Sequence, residues 1–571
     1  MTPDIDYHAL LPLLVVFGTA IVSVLVEAFA PARARYVTQM ALFLGGLAAA
    51  LVSVVILAGT RLVTAEGAMA VDGPALFLQG ATILVAIGAG LLIGERASVV
   101  ASARAGAGAS TRSRAPVLAG FAPQAALAPG GDAEREAERA GVSQTEVFPL
   151  VLFATGGLML FPAANDLITL FIALEVLSLP LYVLCGMARR RRLLSQEAAM
   201  KYFLLGSFSS AIFAYGIAMM YGYAGTVSFD GIAATVRAEG GSTLALIGVA
   251  MMSVGLLFKV GAVPFHNWTP DVYQGAPTSI TAFMAAGTKL AAFGAILRFF
   301  YVAVPGLEEI WVPVLWAIAA LTMIVGTVVG VTQNDVKRLL AYSSVAHAGF
   351  LLTGVLGPAE VGVTATLFYL AVYAVSTVGV FAVAGLVRDP EGAEITDLRS
   401  WAGLGRRQPL IAGAFAVLLL ALAGIPLTSG FIAKFAVFSA AVDGGAVWLV
   451  VIGVLASAIA ASFYVRVIVV MFFRESPAGV GADPAAGAGA AAGAGAVAAG
   501  VGTDAEAPGP GSDAGAADVA FARQPATLAV VGVAVAVTLV FGIIPQPLLD
   551  LAGNAAFAFA GSAAPMFAFA G

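Results

Sequence analysis

Long apolar runs broken by short polar stretches fill most of the 571 residues. A helix needs about 20 apolar residues to cross the hydrocarbon core of a bilayer. On that measure the pattern predicts about fourteen spans, near 9–29, 38–59, 74–94, 147–162, 166–187, 198–222, 243–263, 277–301, 311–331, 338–357, 361–387, 409–440, 445–472 and 525–548. The fourth is short, and the twelfth is long enough to be broken. Two stretches fall outside the pattern. Residues 95–146 mix Ala, Gly, Pro, Arg and Glu, and residues 477–522 continue from GADPAAGAGAAAGAGAVAAG in kind. Both read as disordered insertions, too glycine-rich or too polar for a stable span.

Arginine tests the count of spans. Numbering the connections from the N-terminus, odd loops carry about twenty basic residues, among them Arg33, Arg35 and the run Arg189 to Arg192, while even loops carry only Arg61 and Arg237. Basic loops face the cytoplasm, so the odd loops are expected there, with both termini outside. A missed span would scramble this alternation.

Composition agrees. The chain is 60% hydrophobic and 11% charged, with a mean hydropathy of +0.97, whereas soluble domains carry about 25% charged residues. The expected fold class is an all-α polytopic membrane protein whose solvent is the lipid bilayer. The net charge of −5 adds little. The lone cysteine, Cys185, lies in an apolar run and excludes an internal disulfide, a Cys-ligated iron–sulfur cluster and a Cys-rich zinc site. Asp4 and Asp6, with no basic residue before the first apolar run, argue against a cleavable signal peptide.

Four ionisable side chains stand inside apolar runs: Glu175, Lys259, Lys289 and Lys434. A charge at mid-bilayer costs roughly 2.5–3.5 kcal/mol on insertion scales. Four such costs point to chemistry, and the chemistry these groups share is uptake and release of a proton. Of the five lysines, Lys201 opens another apolar run, and Lys337 alone reads as a loop residue. Two segments look like broken helices. Pro264, Pro270 and Pro277 interrupt LLFKVGAVPFHNWTPDVYQGAPTSITAF, and Gly424, Pro426 and Gly430 interrupt LLLALAGIPLTSGFIAKFAVF. Proline removes a donor and clashes with the preceding turn, and non-helical backbone survives at membrane depth only where protein or water satisfies it. Each break has a lysine beside it. Matched breaks in two halves point to an inverted repeat. The expected organisation is 1–94 (three helices), 95–146 (insertion), 147–301 and 311–472 (two five-helix repeats), 477–522 (insertion) and 525–571 (last helix and tail), with the seventh and twelfth helices discontinuous.

The string VPFHNWTPDVYQGAPTSITAFMAAGTK, with ALEVLSLPLYVL, EAAMKYFLLG, QNDVKRLLAYSSVAHAGF and GIPLTSGFIAKF, closely resembles the antiporter-like subunits of proton-translocating NADH–quinone oxidoreductase, bacterial complex I. The DVYQGAPT portion looks like the subunit N members of that family. The resemblance covers most of the chain outside the two insertions. It implies a proton pathway through Glu175 and Lys259 as a pair, then Lys289, then Lys434, with Lys201 and His266 matching further family positions. It implies a multi-pass subunit of a bacterial plasma membrane, assembled with sister antiporter-like subunits and with the other membrane and peripheral subunits, and not with nucleic acid. No redox centre is expected here: no GxGxxG follows a strand, and no Cys cluster or facing pair of histidines exists. The complex would use NADH and a quinone, with FMN and iron–sulfur clusters in other subunits. The excess of Arg over Lys suggests a GC-rich bacterial genome and menaquinone as acceptor.

Plainer roles stand beside these. A lysine near a helix end can snorkel to the interface, most readily Lys201. His266 and His347 can serve as structural hydrogen-bonding residues. Asp166, Asp271, Asp335 and Arg298 are expected to cap helices or pair, and Glu27 is a further acid at membrane depth. The rival functional reading is a subunit of an Mrp-type cation–proton antiporter, and a third is a structural spacer without flux.

Overall fold

The computed structural model describes residues 5–95, 118, 120–121, 132, 136, 144–189, 191–389, 393–475, 520–522 and 524–557. These are overwhelmingly helical: α1 (Leu11–Phe29), α2 (Ala32–Ile56), α3 (Gly73–Ile93), α4 (Val147–Leu160), α5 (Leu167–Cys185), α6 (Arg192–Ala224), α7 (Phe229–Glu239), α8 (Thr243–Val260), α9 (Trp268–Gly275), α10 (Thr278–Arg298), α11 (Glu308–Thr332), α12 (Val336–Val355), α13 (Ala359–Leu386), α14 (Pro409–Ala423), α15 (Ser429–Asp443), α16 (Val447–Phe473), α17 (Pro525–Ile543) and α18 (Gln546–Ala555). Eleven helices among the described residues are long and apolar enough to cross a membrane. Three segments counted as spans from the sequence lie outside that set. Helix α4 is only 14 residues long, α12 carries Lys337, Arg338 and His347, and 409–440 is divided between α14 and α15.

Side-chain caps fix several helix starts, each satisfying amide donors that a helix end leaves open. Asp72 accepts from Ala75 at α3, Asp166 from Ile168 and Thr169 at α5, Ser242 from Ala245 at α8, and Asp335 from Arg338 at α12. The centre is α10 against α13. Only Ser279 of α10 is even partly exposed, so α10 is surrounded by protein. Peripheral helices keep one apolar face outward, as α1 does with Leu14, Ile21 and Leu25. That is what a lipid-facing helix requires.

Two short antiparallel ladders are present among the described residues: β1 (Leu62–Thr64) pairs locally with β2 (Met69–Val71), and β3 (Val387–Arg388) with the distant β4 (Ala520–Phe521). The second ladder draws the edge of the 477–522 stretch into the fold, and the same happens at 95–146. Leu118 and Phe121 are buried, and Phe121 bridges to Ala188. At these residues the expectation of structureless insertions does not hold. Each is an apolar anchor (Leu118, Phe121 and Phe521 are 2%, 2% and 3% exposed), and burying such side chains contributes roughly 1.5–3 kcal/mol each. Apart from residues 95, 118, 120–121, 132, 136, 144–146 and 520–522, both stretches lie outside the described residues.

Candidate functional site

The site begins where two helices stop. Helix α8 ends at Val260, followed by Gly261 at φ +73°; α14 ends at Ala423, followed by Gly424 at φ +82°. Glycine takes this left-handed conformation without the clash a Cβ brings, so it ends helices readily. The chain resumes as α9 and as α15. Ending a helix inside a protein leaves carbonyls without donors, and here buried side chains supply them. Trp268 Nε1 donates to Phe258 O at 2.9 Å, Lys289 Nζ to Val260 O at 2.7 Å, and Lys434 Nζ to Ala423 O at 2.8 Å and Leu422 O at 3.1 Å. A cation at a helix C-terminus also meets the negative end of the helix dipole.

Lys259 is the penultimate residue of α8. Its Nζ donates to Ser178 Oγ of α5 at 2.7 Å and to Tyr202 OH of α6 at 3.4 Å, with the Tyr202 ring 5.4 Å away. Lys434 has a third acceptor in Ser457 Oγ at 2.8 Å, and its Nζ lies 4.7 Å from the centre of the Phe350 ring. Lys259, Lys289 and Lys434 are 3%, 2% and 5% exposed. None of the ion pairs formed at up to 4.0 Å among the described residues involves these three ammonium groups. Their partners are hydroxyls, carbonyls and aromatic faces.

Glu175 sits one turn before Ser178 on α5, half-buried, and its Oε1 has no hydrogen-bond partner. Ser178 takes the contact with Lys259 that a direct Glu175–Lys259 ion pair would have made. Glu175 is near enough for its charge to act on Lys259. Lys201 is separate from the row. It is half-buried and paired with Glu197 at 2.7 Å and Asp271 at 2.8 Å. Its chain neighbour Tyr202 is the one that reaches Lys259. Asp271 also pairs with Arg338 at 2.7 Å, which ties α6, α9 and α12 together. His266 lies between α8 and α9, half-buried, its ring 6.4 Å from that of Tyr342, and its Nδ1 is unpartnered.

His347 has a more central place than its sequence context suggested. It is buried on α12, bonded through Nδ1 to Tyr369 OH at 2.7 Å and through Nε2 to Tyr464 OH at 3.4 Å. The charges of both Lys434 and Lys289 reach it. Lys337, read from the sequence as a loop residue, is 1% exposed in the first turn of α12, and its Nζ donates to Ala276 O at 2.7 Å. The polar run Gln333-Asn334-Asp335 before it mimics a loop, but Asp335 is a helix cap and the lysine turns inward. Ser178, Tyr202 and Ser457 were not foreseen as partners either.

Two further charged groups are paired. Arg298 bonds Asp72 at 2.7 and 2.8 Å and Pro162 O at 2.8 Å. Glu27 accepts from Thr145 at 2.6 Å, Gln39 at 3.0 Å and Arg35 at 3.3 Å. Among the described residues no group of three or more His, Cys, Asp or Glu is placed to hold a metal ion.

Residues 164–460 match the family described as NADH:quinone oxidoreductase/Mrp antiporter, transmembrane. The chain is 58% identical over 562 residues to NADH-quinone oxidoreductase subunit N of Rhodococcus opacus strain B4, covering 98% of this chain and 97% of that protein. It is 53% identical over 561 residues to the subunit N of Mycobacterium tuberculosis strain H37Rv, covering 97% and 98%. Among solved structures it is similar to a chain of respiratory complex I from Thermus thermophilus with bound aureothin, at a TM-score of 0.69 and 29% identity, covering 95% of this chain and 99% of that one. A chain of the Mrp complex from Dietzia sp. DQ12-45-1b shares the fold at a TM-score of 0.72 and 23% identity, covering 96% and 97%.

Proposed function

This chain belongs to the NADH:quinone oxidoreductase/Mrp antiporter transmembrane family, among its subunit N members, and we propose from that premise that Lys259, Lys289 and Lys434 form the proton-transfer row of a proton-translocating membrane subunit of NADH–quinone oxidoreductase. The observation that carries the reading is three fully buried ammonium groups with no carboxylate in contact. A buried charge without a counter-charge costs several kcal/mol. Nature retains such groups at membrane depth for work, and a lysine's work is to hold and pass a proton.

Glu175 sets the state of the row. With Glu175 ionised, its field favours the protonated form of Lys259; when Glu175 is neutralised or moves, that support goes and the proton leaves. It passes toward Lys289 at the same helix break and then through His347 to Lys434. Groups so coupled titrate as a unit. The complex uses NADH and a quinone, with FMN and iron–sulfur clusters in other subunits, and this chain sits with sister antiporter-like subunits and the remaining membrane and peripheral subunits. The relatives above 50% identity favour this over an Mrp-type antiporter.

The same reading has about fourteen spans in a bacterial plasma membrane, both termini outside, with two inverted five-helix repeats and broken seventh and twelfth helices. Arginine placement supports the orientation. An internal echo supports the repeat. Asp166 caps α5 and bridges to Ser228, and Asp335 caps α12 and bridges to Asp397, the same distance further along the chain. Each capping Asp follows an Asn.

The test is a double-mutant cycle in the assembled complex. Lys259→Ala is expected to leave assembly intact and to reduce both proton pumping and coupled quinone reduction on the order of tenfold or more. Glu175→Gln is expected to resemble it, and the double variant to add little, since both changes break one unit. Two mild single effects that simply sum would sink the pair.

A further inference from the structure

We propose that a small cavity at the arginine-rich end of α9 and α12 admits protons from the cytoplasm, and that Lys337 is the first buried group to carry them. The proposal rests on the proton-translocation reading above and adds to it a point of access on the cytoplasmic side.

The cavity is about 30 Å³ and is lined by Ala276, Pro277, Lys337, Glu394 and three arginines, Arg189, Arg191 and Arg388. Four basic groups around a pocket would ordinarily suggest a phosphate or a lipid headgroup. The volume decides against it. One water needs at least roughly 10–15 Å³ of such space, so this cavity holds a water or two and nothing larger. What can pass is water and a proton.

The chemistry of the wall then singles out one residue. Arginine is effectively always protonated and cannot cycle, so Arg189, Arg191 and Arg388 are fixed charges. Lys337 is the one basic group there able to release a proton. Glu394 is the one acid among the lining residues. It accepts from Thr278 Oγ1 at 2.5 Å, pairs with Arg388 at 3.6 Å, and also lines a second cavity of about 30 Å³ beside Thr278 and Ser279. The charges that act on Lys337 are those of Glu394, Arg191 and Asp335.

Inward from Lys337, α12 lays out polar groups along one side. Ser344 stands seven residues on, about 10 Å further along the helix at 1.5 Å per residue. Tyr373 OH donates to Ser344 Oγ at 2.9 Å, and the Tyr373 ring lies 4.9 Å from that of His347. Ser343 meets Tyr464 OH, which also contacts His347. The line therefore runs from the cavity to the histidine that both Lys289 and Lys434 act on. In the access step a hydronium that reaches the cavity from the cytoplasm gives a proton to the neutral Lys337 amine. One O–H bond breaks, one N–H bond forms, and a water and an ammonium result. Lys337 then releases that proton inward along waters beside Ser344.

A plainer role is that Lys337 caps the carbonyl end of α9 and does nothing else, and substitution separates the two. Lys337→Arg keeps the charge and the donor but cannot release a proton; Lys337→Met removes both. In membrane vesicles holding the assembled complex, NADH-driven proton pumping is expected to fall on the order of tenfold or more in both variants. Pumping near wild type in Lys337→Arg would overturn the proposal, because charge alone would then suffice. Should neither variant assemble, Ala276→Cys offers a second route through a small change in the cavity wall. Alkylation by a small thiol reagent is expected to lower pumping in step with labelling, with the parent chain and its buried Cys185 as control. Full labelling with unchanged pumping, or no labelling at all, would overturn it. Lys259→Ala measured in parallel separates the two failures: if it stops pumping while Lys337→Arg does not, only the access point is wrong.

Discussion

The two helix breaks solve one problem with different materials. At the first, the terminal carbonyl of Val260 is held by Lys289 from the neighbouring α10, while Lys259, one residue earlier, turns to the hydroxyls of Ser178 and Tyr202. At the second, no lysine precedes the break, and Lys434 from the resumed helix holds two carbonyls and Ser457 at once. Hydroxyls rotate and can exchange partners, and Glu175 stands one turn away. Main-chain carbonyls at a helix end are fixed and do not titrate. The first lysine is thus set up to respond to a change of charge nearby, and the second to hold its position at the far end of the row.

The largest expected difference comes from removing each ammonium. Lys259→Met and Lys434→Met should each reduce pumping on the order of tenfold or more, so activity alone does not tell the breaks apart. Stability should. Lys434→Met leaves Leu422 O short of a donor and Ala423 O with only the longer bond from Ser457 at 3.3 Å, and a buried polar group left unsatisfied costs about 1–3 kcal/mol. Lys259→Met leaves hydroxyls that can find other acceptors. Thermal unfolding of the purified complex should show the greater loss for Lys434→Met. Equal losses would mean that the breaks are held in the same way.

A finer probe uses the glycine at each break. Alanine in the left-handed conformation costs roughly 1–2 kcal/mol, and both Gly261→Ala and Gly424→Ala incur it. The new methyl meets different neighbours. At Gly424 it would lie 2.8 Å from Lys434 Cδ, and at Gly261 2.8 Å from Thr269 Oγ1. Gly424→Ala should therefore lower pumping several-fold beyond its effect on stability, whereas Gly261→Ala should lose stability with pumping per assembled complex little changed. The reverse order would place the sensitive lysine at the first break.

Proline and glycine are rare inside apolar runs, which draws attention to the ends of α8 and α14, and a lysine or glutamate in such a run announces itself by its cost. The partners were not legible. Hydroxyls in apolar helices usually bond the carbonyl four residues back, as Thr155 does with Val151 and Ser253 with Val249. Ser178 makes that same bond to Leu174 O while also accepting from Lys259, and nothing in the letters marks that second contact or the one at Ser457. Tyr369 and Tyr464 reach His347 from helices far apart in the chain, which only the packing reveals. Lys337 was hidden by the polar residues before it, and Leu118 and Phe121 by the Ala, Gly and Arg around them.

The smallest effect tests the hydroxyls directly. Ser178→Ala takes from Lys259 its nearest acceptor and leaves only Tyr202 at 3.4 Å. Ser457→Ala takes from Lys434 one acceptor of three. A single hydrogen bond is worth about 0.5–1.5 kcal/mol net, and 1.36 kcal/mol is about tenfold in a rate. Ser178→Ala should slow pumping a few-fold, and Ser457→Ala by less than about twofold, because two carbonyls continue to hold the ammonium. Measured as initial rates of vesicle acidification at matched complex content, the ordering matters more than either value. If Ser457→Ala proves the more damaging, the carbonyls at the second break do not hold Lys434 in place, and the contrast between a responsive first lysine and a fixed second one is wrong.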